Sequence, residues 1–151
     1  MSTEPTSTDP TAPDTIVLIH GFWVTPRSWE DWIKHYEAKG YKVIAPAYPG
    51  FEVEVEALNA DPSPIEAVTV PQIIGHLEEI VTGLDKPPIL IGHSAGGVFT
   101  QILLDHGYGA AGVVIDSAPA EGVSSALVTP VTCASPSTIG PTASSAMVNS
   151  R

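Results

Sequence analysis

Apolar residues along this chain fall into four short runs, separated by stretches in which apolar positions recur at helical spacing. A continuous apolar run of four or five residues, bounded by turn-forming residues, is typical of a strand buried in a parallel sheet. We therefore predict four strands, which occupy residues 15–19, 42–45, 88–91 and 111–115.

Three helices are predicted between and after these strands. The first begins at Pro26 and ends before Gly40, because proline favours the first turn and glycine the C-terminal cap. The second begins at Pro71, and the third runs from Ser94 to His106. Strands that alternate with helices imply right-handed crossovers, so the predicted fold is a parallel, three-layer α/β sheet.

Composition divides the chain into three zones. Residues 1–14 are rich in Ser, Thr, Pro and Asp and predict a disordered leader. Residues 15–117 contain the predicted strands and helices and form the core. Residues 118–151 are dominated by Ala, Ser, Thr, Pro and Gly, which predicts a low-complexity tail.

Charge and cysteine content exclude several functional classes. The 17 acidic and 6 basic residues give a net charge of −11, which disfavours binding to nucleic acid or to anionic membranes. Apolar runs are too short to span a membrane, and the N-terminus lacks the pattern of a signal peptide. The one cysteine, Cys133, excludes an internal disulfide. We expect a soluble, cytoplasmic protein.

Residues 92–96 read Gly-His-Ser-Ala-Gly, a G-x-S-x-G motif between the third strand and the third helix. A serine at such a junction lies on a strained turn, with its hydroxyl exposed above the carboxyl edge of the sheet. The glycines on either side remove Cβ atoms that would collide with the strand and the helix. Ser94 is the candidate nucleophile, and the alternative is a glycine-rich turn without chemistry.

Three segments together resemble the N-terminal half of an α/β-hydrolase. The first is HGFWVTPRSWEDW, after the first strand, and the second is APAYPGF, after the second strand. The third is GHSAGG, at the turn between the third strand and the third helix, which we call the elbow. The three follow the order usual for that superfamily. The resemblance implies that the backbone N–H groups of Phe22 and Ala95 form an oxyanion hole. Alternatively, His20 and Gly21 merely form a tight exit from the strand.

The resemblance also suggests what surrounds the serine. The side chains expected to line the site are those of Trp23 and His93, together with the His20–Gly21 turn, and Phe22 and Trp23 could form an apolar acyl or alcohol pocket. Glu52, Glu54 and Glu56 are interpreted as a solvated loop or an edge strand. No convergent ligand set for a metal is found, and no cofactor is expected.

A serine at the elbow implies attack on an ester, thioester or amide carbonyl, followed by hydrolysis of an acyl-enzyme. The expected function is hydrolysis of a small apolar ester or related carbonyl compound, and a perhydrolase side activity is also compatible with serine. One alternative is a truncated or pseudo-enzyme remnant that binds a ligand without turnover. A nucleotide-binding module is disfavoured because no G-x-G-x-x-G follows the first strand.

The remaining members of a catalytic triad are poorly represented in the sequence. Relatives order the triad as serine, acid, histidine, and only His106 follows Ser94. His106 would lie about 18 Å away along the same helix, too far to act as the base. Asp116, at the end of the fourth strand, is a weak candidate for the acid.

The resemblance covers about half of the family's fold and ends before the lid and the last two strands. Together with the composition of residues 118–151, this predicts a truncated or frame-shifted product. The expected strand order is second, first, third, fourth. The fourth strand would then be an uncovered edge, through which copies of the chain could associate.

Overall fold

The computed structural model describes residues 10–119 of the chain, and they form a four-stranded parallel sheet. The predicted fold class and the spatial order β2-β1-β3-β4 are confirmed. Most of the predicted leader and nearly all of the predicted tail lie outside the described residues. The strands are β1 Thr15–Ile19, β2 Lys42–Ile44, β3 Ile89–His93 and β4 Ala111–Ile115.

The predicted helices are present, with altered boundaries. The chain from Pro26 first forms a 3₁₀ turn, Pro26–Trp29, and then continues as an α-helix. The second predicted helix starts one residue before Pro71, where the backbone N–H of Thr69 is bound by the Gln72 side chain at 2.8 Å. The helices are α1 Glu30–Glu37, α2 Val55–Ala60, α3 Ser63–Glu66, α4 Val70–Thr82 and α5 Ala95–Asp105.

The acidic segment differs from its prediction. Glu56 lies in the short helix α2, although the alternation of glutamates with apolar residues suggested a loop or an edge strand. Glu52 and Glu54 precede that helix, and Glu54 Oε2 binds Arg27 Nη1 at 2.8 Å. This contact joins residues 27 positions apart, so a short sequence period cannot report it.

The two faces of the sheet bury separate apolar clusters. On one face, Val17 and Leu90 pack with Leu77 of α4 and Leu103 of α5. On the other face, Leu18 and other alternate strand residues pack with Trp29. All five residues of β1 are buried, as expected for a central strand covered on both faces.

Strands β2 and β4 are the two edges of the sheet within residues 10–119, and β4 is the more exposed at its valines. Val113 and Val114 are 48% and 45% exposed, whereas every residue of β1 is buried. Among the described residues, no helix is long and apolar enough to cross a membrane. The cytoplasmic location remains a prediction.

Candidate active site

Ser94 occupies the junction between β3 and α5, in a backbone conformation that L-residues rarely adopt. Its φ is 55° and its ψ is −121°, and the helix begins at the next residue. A positive φ outside glycine costs about 1–3 kcal/mol and persists only where the surrounding structure enforces it. The predicted strained turn at Ser94 is therefore present.

Close backbone packing by two glycines enforces that turn. A Cβ atom on Gly96 would lie 2.1 Å from the carbonyl oxygen of Ile19. A Cβ atom on Gly92 would lie 2.2 Å from the carbonyl oxygen of Gly96. The first turn of α5 thus rests directly on the end of β1, and no larger side chain fits at either position without a backbone shift.

The loop after β1 lies against the elbow. A Cβ atom built on Gly21 would lie 3.2 Å from Ser94 Cβ and 3.6 Å from His93 Nδ1. The structure therefore brings together Gly21, His93 and Ser94, three of the residues singled out in the sequence.

The two aromatic residues that follow Gly21 are exposed to different extents. The Phe22 ring makes edge-on contacts with Tyr48 and Phe99, at centroid distances of 6.3 and 5.8 Å, and is 40% exposed. Trp23 is 92% exposed, and its role in lining the site remains a prediction.

The proposed oxyanion donors belong to two adjacent segments. Ala95 is the first residue of α5, and the first N–H groups of a helix have no acceptor within the helix. Phe22 follows Gly21, whose backbone approaches Ser94. The roles of Phe22 and Ala95 as donors remain predictions.

His20 is fully buried beneath this loop. Its Nδ1 lies 2.7 Å from the carbonyl oxygen of Gly21, so Nδ1 carries the hydrogen and donates it. Burial lowers the pKa of His20, which favours the neutral ring. Within the described part of the chain, Nε2 has no hydrogen-bond partner. His20 therefore supports the loop after β1, which lies against Ser94.

Tyr48 is a residue that the sequence analysis did not assign to the site. It is fully buried, and its hydroxyl donates a hydrogen bond to the carbonyl oxygen of His20. The segment APAYPGF, which follows β2, carries it to this position. An aromatic residue just beyond the carboxyl end of β2 was the available signal, but the pattern gives no hydrogen-bond partner.

Two other histidines, His76 and His106, form contacts away from Ser94. His106 Nδ1 lies 2.7 Å from Glu78 Oε1, an ion pair that joins the end of α5 to α4 when the imidazole is protonated. His76 Nε2 lies 3.1 Å from the carbonyl oxygen of Ala47. His106, the one histidine that follows Ser94 in these 151 residues, is thus paired with α4 and not with the serine.

Asp116 lies close to the elbow along the carboxyl edge of the sheet. The backbone N–H of Ser94 donates to the carbonyl oxygen of Ile115 at 3.0 Å, and Asp116 is the next residue. Its φ is 46°, and its side chain is exposed. Its role as the acid remains a prediction.

Metal ligands do not converge in the part of the chain that the structure describes. In residues 10–119, no three His, Cys, Asp or Glu side chains are close enough together to hold an ion. An open groove of about 300 Å³ is lined by residues that include Thr25, Arg27 and Glu54.

Comparisons with known proteins agree with this geometry. The model of the alpha/beta hydrolase family matches residues 16–147. No protein of curated function matches the chain by sequence. An extracellular α/β-hydrolase from a Paenibacillus species, described as sharing structural and functional homology with tobacco salicylic acid binding protein 2, is similar in structure. It is 30% identical with a TM-score of 0.58, over 71% of this chain and 42% of that one.

Two further structures share the fold at lower identity. A monoacylglycerol lipase from Paleococcus ferrophilus is 20% identical with a TM-score of 0.57, over 71% of this chain and 40% of the lipase. A pyrethroid hydrolase from Sphingobium faniae is 22% identical with a TM-score of 0.55, over 70% and 40%. The chain thus spans less than half the length of these proteins. The family model matches most of this chain, which shows that the chain belongs to the α/β-hydrolase family.

Proposed function

We propose that Ser94 is the nucleophile of a hydrolase site that accepts a small apolar ester or a related carbonyl compound. The observation that carries the proposal is the conformation of Ser94, whose positive φ places it between β3 and α5 and against Gly21. Such a turn exposes the serine hydroxyl at the carboxyl edge of the sheet and beside a helix N-terminus.

The chemistry would proceed by acyl transfer. Ser94 Oγ attacks the carbonyl carbon, and the oxygen that becomes negative accepts hydrogen bonds from the N–H groups of Phe22 and Ala95. The carbonyl re-forms as the alcohol leaves, and the acyl group stays on Ser94 until water removes it. None of the five histidines occupies the usual position of the triad base. The proton of Ser94 therefore passes to solvent water, the departing alkoxide takes a proton from water, and both transfers are slow without a base.

The exposed aromatic residues support an apolar substrate. Phe22 and Trp23 adjoin the loop that contacts Ser94, and both expose ring surface. Aromatic side chains beside a few convergent polar groups are the usual lining of small-molecule sites. The lipase and the pyrethroid hydrolase share the fold, and their names are compatible with ester chemistry.

A second candidate function is ligand binding without turnover. It is favoured by the pairing of His106 with Glu78, since the one histidine that follows Ser94 is bound on another helix. In that case the loop and the elbow would retain a carbonyl or carboxylate ligand but would not release a product. The two functions differ in whether Ser94 can be acylated.

A fluorophosphonate probe tests the nucleophile directly. We expect intact-mass and peptide analysis to find the probe on Ser94 after prolonged incubation, and Ser94→Ala to abolish the adduct. Ser117→Ala is the matched control, because Ser117 Oγ lies next to Gly97 of the same elbow and binds Gln101 Nε2 at 3.3 Å. Labelling that survives in Ser94→Ala, or an unlabelled wild-type chain, would contradict the role of Ser94.

A further inference from the structure

Two consecutive carbonyl groups in the loop after β1 are each held by a buried side-chain donor. The Tyr48 hydroxyl donates to the carbonyl oxygen of His20. His20 Nδ1–H in turn donates to the carbonyl oxygen of Gly21, over 2.7 Å. Both side chains are fully buried, so water does not compete for these hydrogen bonds.

The orientation of a carbonyl fixes the orientation of the N–H group in the same peptide unit. In a trans peptide the two groups point in opposite directions across one plane. The unit between Gly21 and Phe22 contains the carbonyl that His20 holds and the Phe22 N–H. We propose that Tyr48 is a positioning residue, which acts through His20 to aim the Phe22 N–H at the oxyanion. This inference rests on the proposed function of the site.

The packing around Tyr48 makes it suited to this role. Its ring lies 4.1 Å from the His20 ring and 5.6 Å from each of the rings of Phe51 and Phe99, measured between centroids. Burial raises the pKa of Tyr48, so the hydroxyl keeps the proton that it donates. A ring fixed on three sides offers its hydroxyl in one direction.

The catalytic value of such an arrangement is preorganisation. An oxyanion donor stabilises the transition state because it already points where the charge develops. Removal of a whole donor costs about 10²–10³ in rate in a well-studied protease. Loss of the Tyr48 hydrogen bond leaves the Phe22 N–H in place but frees it to rotate, so we expect a smaller loss, about tenfold.

Tyr48→Phe in the full chain tests the proposal, because it removes the hydroxyl and keeps the ring. The rate constant for fluorophosphonate labelling at saturation should fall about tenfold, whereas the probe concentration at half-maximal rate should not change. The ¹H–¹⁵N resonance of the Phe22 amide should also move. Tyr36→Phe, on the opposite face of the sheet, is the control and should alter neither quantity.

Either readout can overturn the proposal. A Tyr48→Phe variant that is labelled at the wild-type rate, or whose Phe22 amide resonance is unchanged, would contradict it. If that variant does not fold, His20→Leu removes the second donor of the chain, and labelling at the wild-type rate would then be the contradicting result.

Failure of the proposed function gives a different result. In that case the wild-type chain would not be labelled at Ser94, whatever residue stands at position 48. The Phe22 amide resonance would still decide the role of Tyr48, since it reports the orientation of the loop without any reaction.

Discussion

The carboxyl edge of the sheet contains two non-glycine residues with positive φ, Ser94 after β3 and Asp116 after β4, and their surroundings differ. Around Ser94, Gly92 and Gly96 bring backbones into direct contact, and Gly21 lies against the serine. Asp116 is exposed at the end of a strand whose valines are also exposed. Close backbone contacts thus surround the serine, whereas the side chain of Asp116 is exposed to solvent.

The backbone around Ser94 is therefore more tightly packed than the exposed end of β4. A strained serine is useful only if the surrounding atoms hold it in place as the reaction proceeds. The end of β1, the elbow and the Tyr48–His20 pair supply that support. Strand β4 is at an edge of the sheet within residues 10–119 and exposes two of its valines. We therefore expect substitutions at the elbow to cost much more than matched substitutions at β4.

Alanine substitutions of two glycines should show the largest contrast. In Gly96→Ala the new Cβ meets a backbone oxygen at 2.1 Å, and in Gly112→Ala it meets the end of the Leu104 side chain at 2.3 Å. A backbone clash requires the helix to shift, whereas a leucine can change rotamer. We expect a loss of about 3 kcal/mol in the free energy of unfolding for Gly96→Ala and less than about 1 kcal/mol for Gly112→Ala.

Urea unfolding monitored by circular dichroism measures both values. Equal losses for the two variants would show that the elbow is no more tightly packed than the edge strand.

Two valines, each the third residue of its strand, allow the same comparison in the apolar core. Val17 is fully buried in β1, whereas Val113 of β4 is 48% exposed. We expect Val17→Ala to lower the free energy of unfolding by about 2 kcal/mol, because it leaves a cavity between β1 and the helices. Val113→Ala should cost about 0.5 kcal/mol. A larger loss for Val113→Ala in the same urea titration would mean that β4 is covered in solution.

Features set by short stretches of sequence could be predicted, whereas features set by contacts between distant residues could not. The bounds of β4 were predicted correctly because an apolar run is a local signal. The predicted strand order is also confirmed, although it is a property of the whole sheet. Helix α2 was missed, because it is only six residues long, has no buried residue, and follows glutamates whose alternation with apolar residues is typical of a strand.

The same reasoning applies to the site. The conformation of Ser94 follows from a motif within five residues, and the structure shows it. The contact between Tyr48 and His20 joins residues 28 positions apart, so no spacing rule reveals it. The paired side chain of His106 was likewise hidden, although its distance from the elbow was predictable from helix geometry.

Association of copies through β4 remains a prediction, and it sharpens the comparison. A lysine on an edge strand opposes pairing with another strand, so Val114→Lys should weaken any self-association at least about tenfold in sedimentation velocity. Val70→Lys is the control, since Val70 is similarly exposed, at 47%, but lies on α4. If both variants behave alike, the edge of β4 is not the contact between copies.

The smallest effect should come from the protonation of His20. Burial places its pKa in the folded state below the ordinary value of 6.5, so the unfolded chain binds more protons as the pH falls below 6.5. Stability is therefore retained above pH 6.5 and lost as the pH falls below it. His20→Asn should reduce this slope, and identical slopes in the two chains would show that the proton uptake of His20 does not differ between the folded and unfolded states.

Hydrolysis of a short-chain p-nitrophenyl ester by the purified 151-residue chain tests the central claim most directly. The account predicts a rate barely above the uncatalysed background and little change in Ser94→Ala, because a serine hydroxyl without a base is a weak nucleophile at neutral pH. Robust turnover that Ser94→Ala abolishes would confirm Ser94 as the nucleophile and contradict the claim that this chain has no base to activate it. His20, His93 or a histidine of another copy would then be the base, and His20→Ala and His93→Ala in the same assay would show which.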